Sequence, residues 1–305
     1  MVVLSLFDGI SCGKVALDRA GIRVDKYYAS EIDRNAIEVS SCNHPNIEQL
    51  GNVQSVDQGC ELLLAGSPCQ GFSQAGRRKG LEDPRSKLFF EFLRLLDKYN
   101  PMYWLLENTK MAKKDQEIIT SYLGTEPHRI NSLMLSAQNR DRLYWTNIPL
   151  LPIDSLDIVI EDIALPLDSS PIQSKIDNGE VSFVPLDSHS SRVGLKCLGG
   201  LKKDGVKMWL EDGKILQRNF PQGNRVYCSS GKAPTLNANS GGLGGKTGLI
   251  SHKGVIRKLQ RVECERLQTL PDGYTKAVSS STAISLLGNG WTVDVIAHIF
   301  KGMKV

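Results

Sequence analysis

A thiol and a carboxyl group stand at corresponding ends of two strand-like runs in this sequence. Pro68-Cys69-Gln70 follows the apolar run Leu62-Leu63-Leu64-Ala65, and Glu107-Asn108 follows Tyr103-Trp104-Leu105-Leu106. Apolar runs of this length read as buried strands. In an open α/β sheet, reacting groups gather in the crevice beyond the carboxyl ends of the strands, so a nucleophile at Cys69 and an acid at Glu107 face one crevice. Nucleophilic catalysis by a thiol is the chemistry this pairing suggests. Taken alone, Glu107-Asn108 reads better as a helix-capping pair; beside Pro68-Cys69-Gln70 the catalytic reading prevails.

A second group of residues suits an adenosine cofactor. Phe7-Asp8-Gly9-Ile10-Ser11-Cys12-Gly13 joins a first strand to a first helix, where a Gly turn lets backbone and helix N-terminus approach a ligand. Glu31 ends the next strand eighteen residues after Gly13, about the distance at which an acidic residue takes ribose hydroxyls. The turn lacks Gly-x-Gly-x-x-Gly. That counts against NAD and fits a cofactor without a pyrophosphate, such as S-adenosylmethionine.

The elements that must position these residues alternate over the first 150 positions. Residues 2–7 read as a strand, 14–20 as a helix closed by Gly21, and 24–30 as a second strand; Asp33 can cap a helix running towards Cys42. A polar loop covers 74–87. A helix follows over 88–99, with Phe89, Phe92, Leu95, Leu96 and Tyr99 at helical spacing, and Pro101 ends it. This βαβ rhythm predicts the α/β class, with a doubly wound, mostly parallel sheet. Beyond Pro149 and Pro152 prolines, acidic residues and short strand-like pieces replace the rhythm, and thirteen of the 28 glycines fall between Gly194 and Gly254. The expectation is a discontinuous large domain, 1–154 and 256–305, with a smaller loop-rich domain at 155–255. Within the last segment 261–267 and 293–300 read as helices, the latter buried and able to return to the first sheet.

Composition sets the outer bounds. A chain of 305 residues can bury a full core. No run approaches the roughly 18 consecutive apolar residues of a membrane span, and Met1-Val2-Val3 leads into a strand rather than a signal peptide, so a soluble cytoplasmic protein is expected. The seven cysteines (12, 42, 60, 69, 197, 228 and 264) are scattered, without Cys-x-x-Cys spacing, which argues against a disulfide framework or a zinc site; no metal is expected. The formal charge is only +4, but its distribution is uneven. Residues 154–187 carry eight acidic residues against Lys175, a net of −7; residues 192–258 carry thirteen Lys and Arg against Asp204, Glu211 and Asp212, a net of +10. The basic half is also rich in Gly, Asn, Ser and Gln, which suits loops that approach a polyanion.

Six motifs together carry a family resemblance. Phe7-Asp8-Gly9, Glu31, Pro68-Cys69-Gln70, Glu107-Asn108, Gln138-Asn139-Arg140-Asp141-Arg142 and Gly288-Asn289-Gly290 stand in the order and approximate spacing of the cytosine-5 DNA methyltransferases. The resemblance covers nearly the whole chain. The stretches 4–10, 78–81 and 88–92 look like the animal de novo enzymes, whereas 225–248 and 257–267 look like compact bacterial and phage enzymes. A bacterial or phage source is therefore implied.

The resemblance implies a fold, a reaction and a set of site residues. The fold is the Rossmann-like one of S-adenosylmethionine-dependent methyltransferases, with a target-recognition domain. Cys69 adds to carbon 6 of cytosine, Glu107 holds ring nitrogen 3 and the exocyclic amine and is aided by burial that favours its proton, and Arg140 and Arg142 support the thiolate or contact the base carbonyl or its phosphate. S-adenosylmethionine, left as S-adenosylhomocysteine, falls to Phe7, Asp8, Gly9, Ile10, Ser11, Gly13, Glu31, Ile32, Asn52, Val53, Ser67, Pro68, Leu88, Asn289 and Gly290. Double-stranded DNA falls to Gln70, Ser73, Gln74, Ala75, Arg77 and Arg85 in the basic loop, and to Gln222, Arg225, Asn237 and Asn239 in the small domain, with Lys202, Lys203 and Lys232 serving phosphates. The chain departs from the family pattern at Asn52, where an Asp commonly receives the adenine amine, and at Asn289-Gly290-Trp291 in place of Asn-Ser-Val, which leaves Trp291 without an assigned role. A monomer is implied, with a restriction endonuclease as a partner in restriction-modification systems. Two rivals remain: a transfer-RNA cytosine-5 methyltransferase, and a catalytically silent DNA-binding regulatory homologue.

Overall fold

The computed structural model describes residues 1–66, 87–167, 169–187, 191–192, 194–203, 214–216, 220–239 and 241–304. The chain forms two compact units: Met1–Asn131, Asp141–Ile153 and Trp291–Val305 make the first, Ser132–Arg140 and Asp154–Gly290 the second.

The first unit opens with β1 (Val2–Leu6), α1 (Cys12–Arg19), β2 (Lys26–Ser30), α2 (Arg34–Asn43) and β3 (Glu48–Gln49). It continues through β4 (Leu62–Gly66), α3 (Lys87–Tyr99), β5 (Tyr103–Thr109), α4 (Lys113–Leu123), β6 (His128–Asn131) and β7 (Asp141–Thr146). The strands make one sheet in the order β3-β2-β1-β4-β5-β7-β6. It is parallel except for β7, which runs antiparallel to both β5 and β6.

Why these residues take these positions follows from burial. In β1 the run Val3 to Leu6 and in β4 the run Leu62 to Ala65 are almost wholly buried, as strands covered on both faces must be, and their near-continuous apolar sequences supply the side chains for both. On one face Phe89, Phe92 and Leu95 of α3 meet Leu63, Trp104, Leu106 and Trp145; each such side chain contributes roughly 2 kcal/mol by leaving water. Asp33 caps α2 as its position predicts, accepting from the Asn35 N–H at 2.9 Å. The strand order reverses between β1 and β4, so the carboxyl ends of these two strands flank the switch point where α/β sheets bind ligands.

In the second unit α5 (Ile160–Ile163), α6 (Pro171–Asp177), β8 (Val181–Pro185), β9 (Ser191–Arg192), β10 (Leu195–Lys203), β11 (Arg225–Cys228), β12 (Leu249–His252) and β13 (Val255–Lys258) precede α7 (Arg261–Leu267) and α8 (Ser280–Asn289). Its sheet runs β13-β12-β11-β10-β8, with β9 on β10. The loop-rich character expected of 155–255 thus gives way to a mixed sheet over a core of Ile172, Val181, Leu201, Val226, Leu249 and Ile256. Gly199 and Gly200 hid β10 from sequence reading; a Cβ on either would run into Phe183 or Phe220, so the glycines serve close packing and a bulge at Cys197/Gly199 rather than a loop.

The chain re-enters the first unit at Trp291 and ends in α9 (Val293–Phe300), which packs on α1. The sequence placed that return at 256. Segment 256–290 groups with the second unit through contacts at long sequence separation: Ser136 Oγ donates to the Leu267 carbonyl at 2.6 Å, and Gln138 donates to Gln268 at 3.3 Å.

Candidate active site

The turn after β1 folds through three left-handed residues, Phe7 (φ 56°), Gly9 (φ 59°) and Ser11 (φ 60°). Two of the three carry side chains, and such conformations persist only where the surroundings hold them. Here the holding groups are polar. Tyr27 Oη donates to Asp8 Oδ1 at 2.7 Å and Ser11 Oγ to Asp8 Oδ2 at 2.5 Å, while the Ser11 and Ser40 hydroxyls meet at 2.6 Å. Burial pushes the Asp8 carboxyl up to about 6 against the pull of these donors. The side chains of Asp8 and Ser11 therefore point into the fold, Ile10 is buried, and Gly13 lies under Tyr27, Leu64 and Trp291.

Glu31 fixes the same turn from β2. Its Oε2 accepts from the Gly9 N–H at 2.8 Å, and its Oε1 from Ile32 N–H at 2.7 Å and Asp33 N–H at 2.9 Å. A carboxylate offers about four acceptor sites, so one remains for a ribose hydroxyl. Beside it Ile32 is 74% exposed, an apolar face of the kind an adenine ring covers. Asn52 caps the turn at Val53–Ser55, its Oδ1 accepting from Gln54 N–H at 3.1 Å, with a second lone pair left over. Val53 is buried and Leu88 packs against the same core. This donor set, an anchored carboxylate beside an exposed aliphatic side chain and an amide oxygen, fits the adenosine part of S-adenosylmethionine.

Glu107 lies inside β5 rather than at a helix start. The strand continues to Thr109 because β7 pairs with it, Glu107 opposite Tyr144 and Thr109 opposite Arg142. On its other edge Glu107 stands in register with Gly66, the last residue of β4. The carboxyl group is buried and held at both oxygens: Arg142 Nε lies 3.0 Å from Oε1, and the Trp291 indole donates to Oε2 at 3.1 Å. Arg142 also donates to the Asp141 carbonyl at 2.9 Å. Sequence reading gave Trp291 no part here; a tryptophan opening the segment that returns to the sheet was its one visible signal.

In the second unit Arg140 is buried and spends its guanidinium on main-chain carbonyls, Gly288 at 3.0 Å, Gly290 at 2.8 Å and Leu236 at 3.4 Å. Asn289, between two of these residues, is exposed. The two expected base-reading segments are joined. A Cβ on Gly223 would strike the Gly241 carbonyl oxygen, Gly244 N–H donates to the Gly223 carbonyl at 2.6 Å, and Leu243 N–H donates to Asn224 Oδ1 at 3.0 Å. Gln222 and Asn239 are exposed and Asn237 is half-buried, while Arg225 donates to the Phe220 carbonyl at 3.0 Å. Lys232 departs from its expected service to phosphates: it is buried, and its ammonium donates to the carbonyls of Leu133, Ser136 and Ile158.

Ser67, Pro68, Cys69, Gln70, Ser73, Gln74, Ala75, Arg77 and Arg85 lie outside the described residues. Of the other cysteines, Cys12, Cys197 and Cys264 are buried; burial raises the thiols of Cys197 and Cys264 and pushes that of Cys60 up to about 12.

A parallel sheet of this order with one reversed strand beside β5, and ligand groups at the carboxyl ends of β1 and β2, is the Rossmann-like architecture of S-adenosylmethionine-dependent methyltransferases. Within that class the chain belongs to the C-5 cytosine-specific DNA methylase family, which it matches over residues 1–148 and 172–305. It is 32% identical over 302 residues to the orphan methyltransferase M.Rho11sI of Bacillus phage rho11s, covering 81% of this chain and 59% of that one. It is 28% identical over 320 residues to the type II methyltransferase M.HhaI of Haemophilus parahaemolyticus, covering 97% and 92%. Among solved structures, the Entamoeba histolytica methyltransferase EhMeth (TM-score 0.68, 14% identity, 99% and 97% covered) and the S. pombe Dnmt2 methyltransferase (0.64, 16%, 98% and 97%) share the fold. Membership implies S-adenosylmethionine as methyl donor and DNA as substrate.

Proposed function

We propose that this protein methylates carbon 5 of a cytosine turned out of a specific duplex DNA sequence, through a covalent bond to Cys69, in the cytoplasm of a bacterium or of a phage-infected cell. The first unit is read as catalytic and the second as the target-recognition unit. Extruding the nucleotide costs a few kcal/mol and is required because the target carbon is closed within the stack.

The chemistry follows from a poor nucleophile made better. The Cys69 thiolate adds to carbon 6, and the ring electrons move towards nitrogen 3, where Glu107 supplies a proton. S-adenosylmethionine supplies the methyl group as an electrophile on sulfonium sulfur. Carbon 5, now enamine-like, takes that methyl group; loss of its proton to a base and departure of the thiolate restore the ring. Glu31, Ile32 and Asn52 would hold the adenosine, and Arg142 orients Glu107.

What carries this reading is Glu107: a buried carboxyl group held at both oxygens and in register with Gly66, three residues before Cys69 in the chain. Duplex DNA containing 5-fluorocytosine at target sites should trap a denaturant-stable adduct, because fluorine cannot leave as a proton does. Cys69→Ser should abolish the adduct. Methyl incorporation into transfer RNA in preference to duplex DNA, or no adduct with the wild-type protein on a genomic mixture of sites, would overturn the proposal.

A further inference from the structure

Trp291 has no part in the chemistry just described, yet it makes one of the two bonds that aim Glu107. Its indole Nε1 donates to Oε2 at 3.1 Å while Arg142 holds Oε1 at 3.0 Å. The ring is itself fixed. It is 9% exposed, and it lies so close to Gly66 that a Cβ there would come within 2.8 Å of Nε1 and 3.2 Å of Cε2 and Cζ2; a Cβ on Gly13 would reach Cζ3 at 3.4 Å. Two glycines, one ending β4 and one in α1, thus leave a slot that the indole fills edge to edge.

Physical chemistry says what the arrangement does. A buried indole N–H needs an acceptor, and the slot directs it to one oxygen. The terminal torsion of a glutamate is broad and roughly two-fold, so a carboxyl group held by Arg142 alone could swing about the retained bond. A second donor on the other oxygen, carried by a ring packed against Gly66 and Gly13, restricts that freedom.

We infer that Trp291 is a positioning residue for Glu107, setting the orientation of the carboxyl group through its indole N–H. The inference rests on the role proposed for Glu107. Its effect belongs to the step in which the proton is passed, and therefore to kcat, leaving the KM values for S-adenosylmethionine and DNA in place.

Trp291→Phe keeps a ring in the slot and deletes the donor. The expected result is a fall in kcat of roughly 10- to 100-fold, the scale of one buried hydrogen-bonding group left unpaired, with both KM values within about twofold. Combined with Glu107→Gln, the Trp291→Phe loss should largely vanish, since a ring that acts through the carboxyl group has nothing left to orient. A rise in KM for S-adenosylmethionine at unchanged kcat, or losses that multiply in the double variant, would overturn the inference. The underlying reading fails separately: full activity in Glu107→Gln would dismiss Glu107 itself, whereas an inactive Glu107→Gln with a fully active Trp291→Phe would dismiss only Trp291. Should Trp291→Phe fold poorly, nitrogen-15 labelling of the four tryptophans supplies a second measurement. The Trp291 indole resonance should shift on Glu107→Gln, and an unmoved resonance counts against the bond.

Discussion

Asp8, in the turn after β1, is held by the protein's own donors. Its oxygens accept from Tyr27 and Ser11, yet burial outweighs both donors and holds its pKa near 6 rather than 3.8, with the Glu31 charge adding to the rise. Below about pH 4 folded and unfolded chains both keep the proton. Between 4 and 6 the unfolded chain releases it and the folded one does not, so stability declines as pH rises; above 6 the full loss is in place. Asp8→Asn, which cannot ionise, should therefore gain on the wild type by up to about 2 kcal/mol between pH 4 and pH 8. Thermal melts of both proteins across that range check it: a constant difference in Tm would contradict the assignment.

Elements of the second unit are tied by charges the surface never sees. Arg257 in β13 and Glu263 in α7 form a bidentate pair at 2.7 and 2.8 Å, 2% and 0% exposed, and Glu263 also accepts from the N–H groups of Leu165 and Gln260. Removing one partner of such a pair strands the other. Glu263→Gln should destabilise the fold by roughly 3 kcal/mol, read as a lower urea midpoint at unchanged slope. The stretch 257–267 caught attention in the sequence as a family likeness, but what its charges do was not legible there. Periodicity revealed the elements whose burial is local, namely β1, β4, α3, α7 and α9. It could not reveal that Lys232 is buried among carbonyls, that β10 runs through Gly199 and Gly200, or that 256–290 joins the second unit. Those facts depend on partners elsewhere in the chain, about 15 to 20 residues from Gly199 and Gly200 and 74 to 131 residues away in the other two cases. Spacing after Gly13 singled out Glu31, and the end of a strand-like run beside Pro68-Cys69-Gln70 singled out Glu107; their donors Gly9, Arg142 and Trp291 come from three other segments of the chain.

At the scale of the whole molecule, the charge pattern is the feature that composition showed and structure refines. A net of +10 over 192–258 overstates what DNA can meet, because Lys232 and Arg257 are buried. Lys203 on β10 is exposed and Lys202 half-exposed. Each lysine that neutralises a phosphate contributes about 0.9 to the slope of log affinity against log salt. Lys203→Gln should reduce that slope by close to one, uniformly across target and non-target duplexes; an unchanged slope would remove Lys203 from the interface.

The interlock of Gly223 with 241–244 has an evolutionary consequence. Two stretches that share a backbone contact this close cannot be exchanged one at a time, since any residue larger than glycine at 223 collides with its neighbour. On the proposal that the second unit recognises the target, retargeting this protein to another sequence calls for transplanting both stretches as one cassette, and drift in sequence preference travels the same paired route.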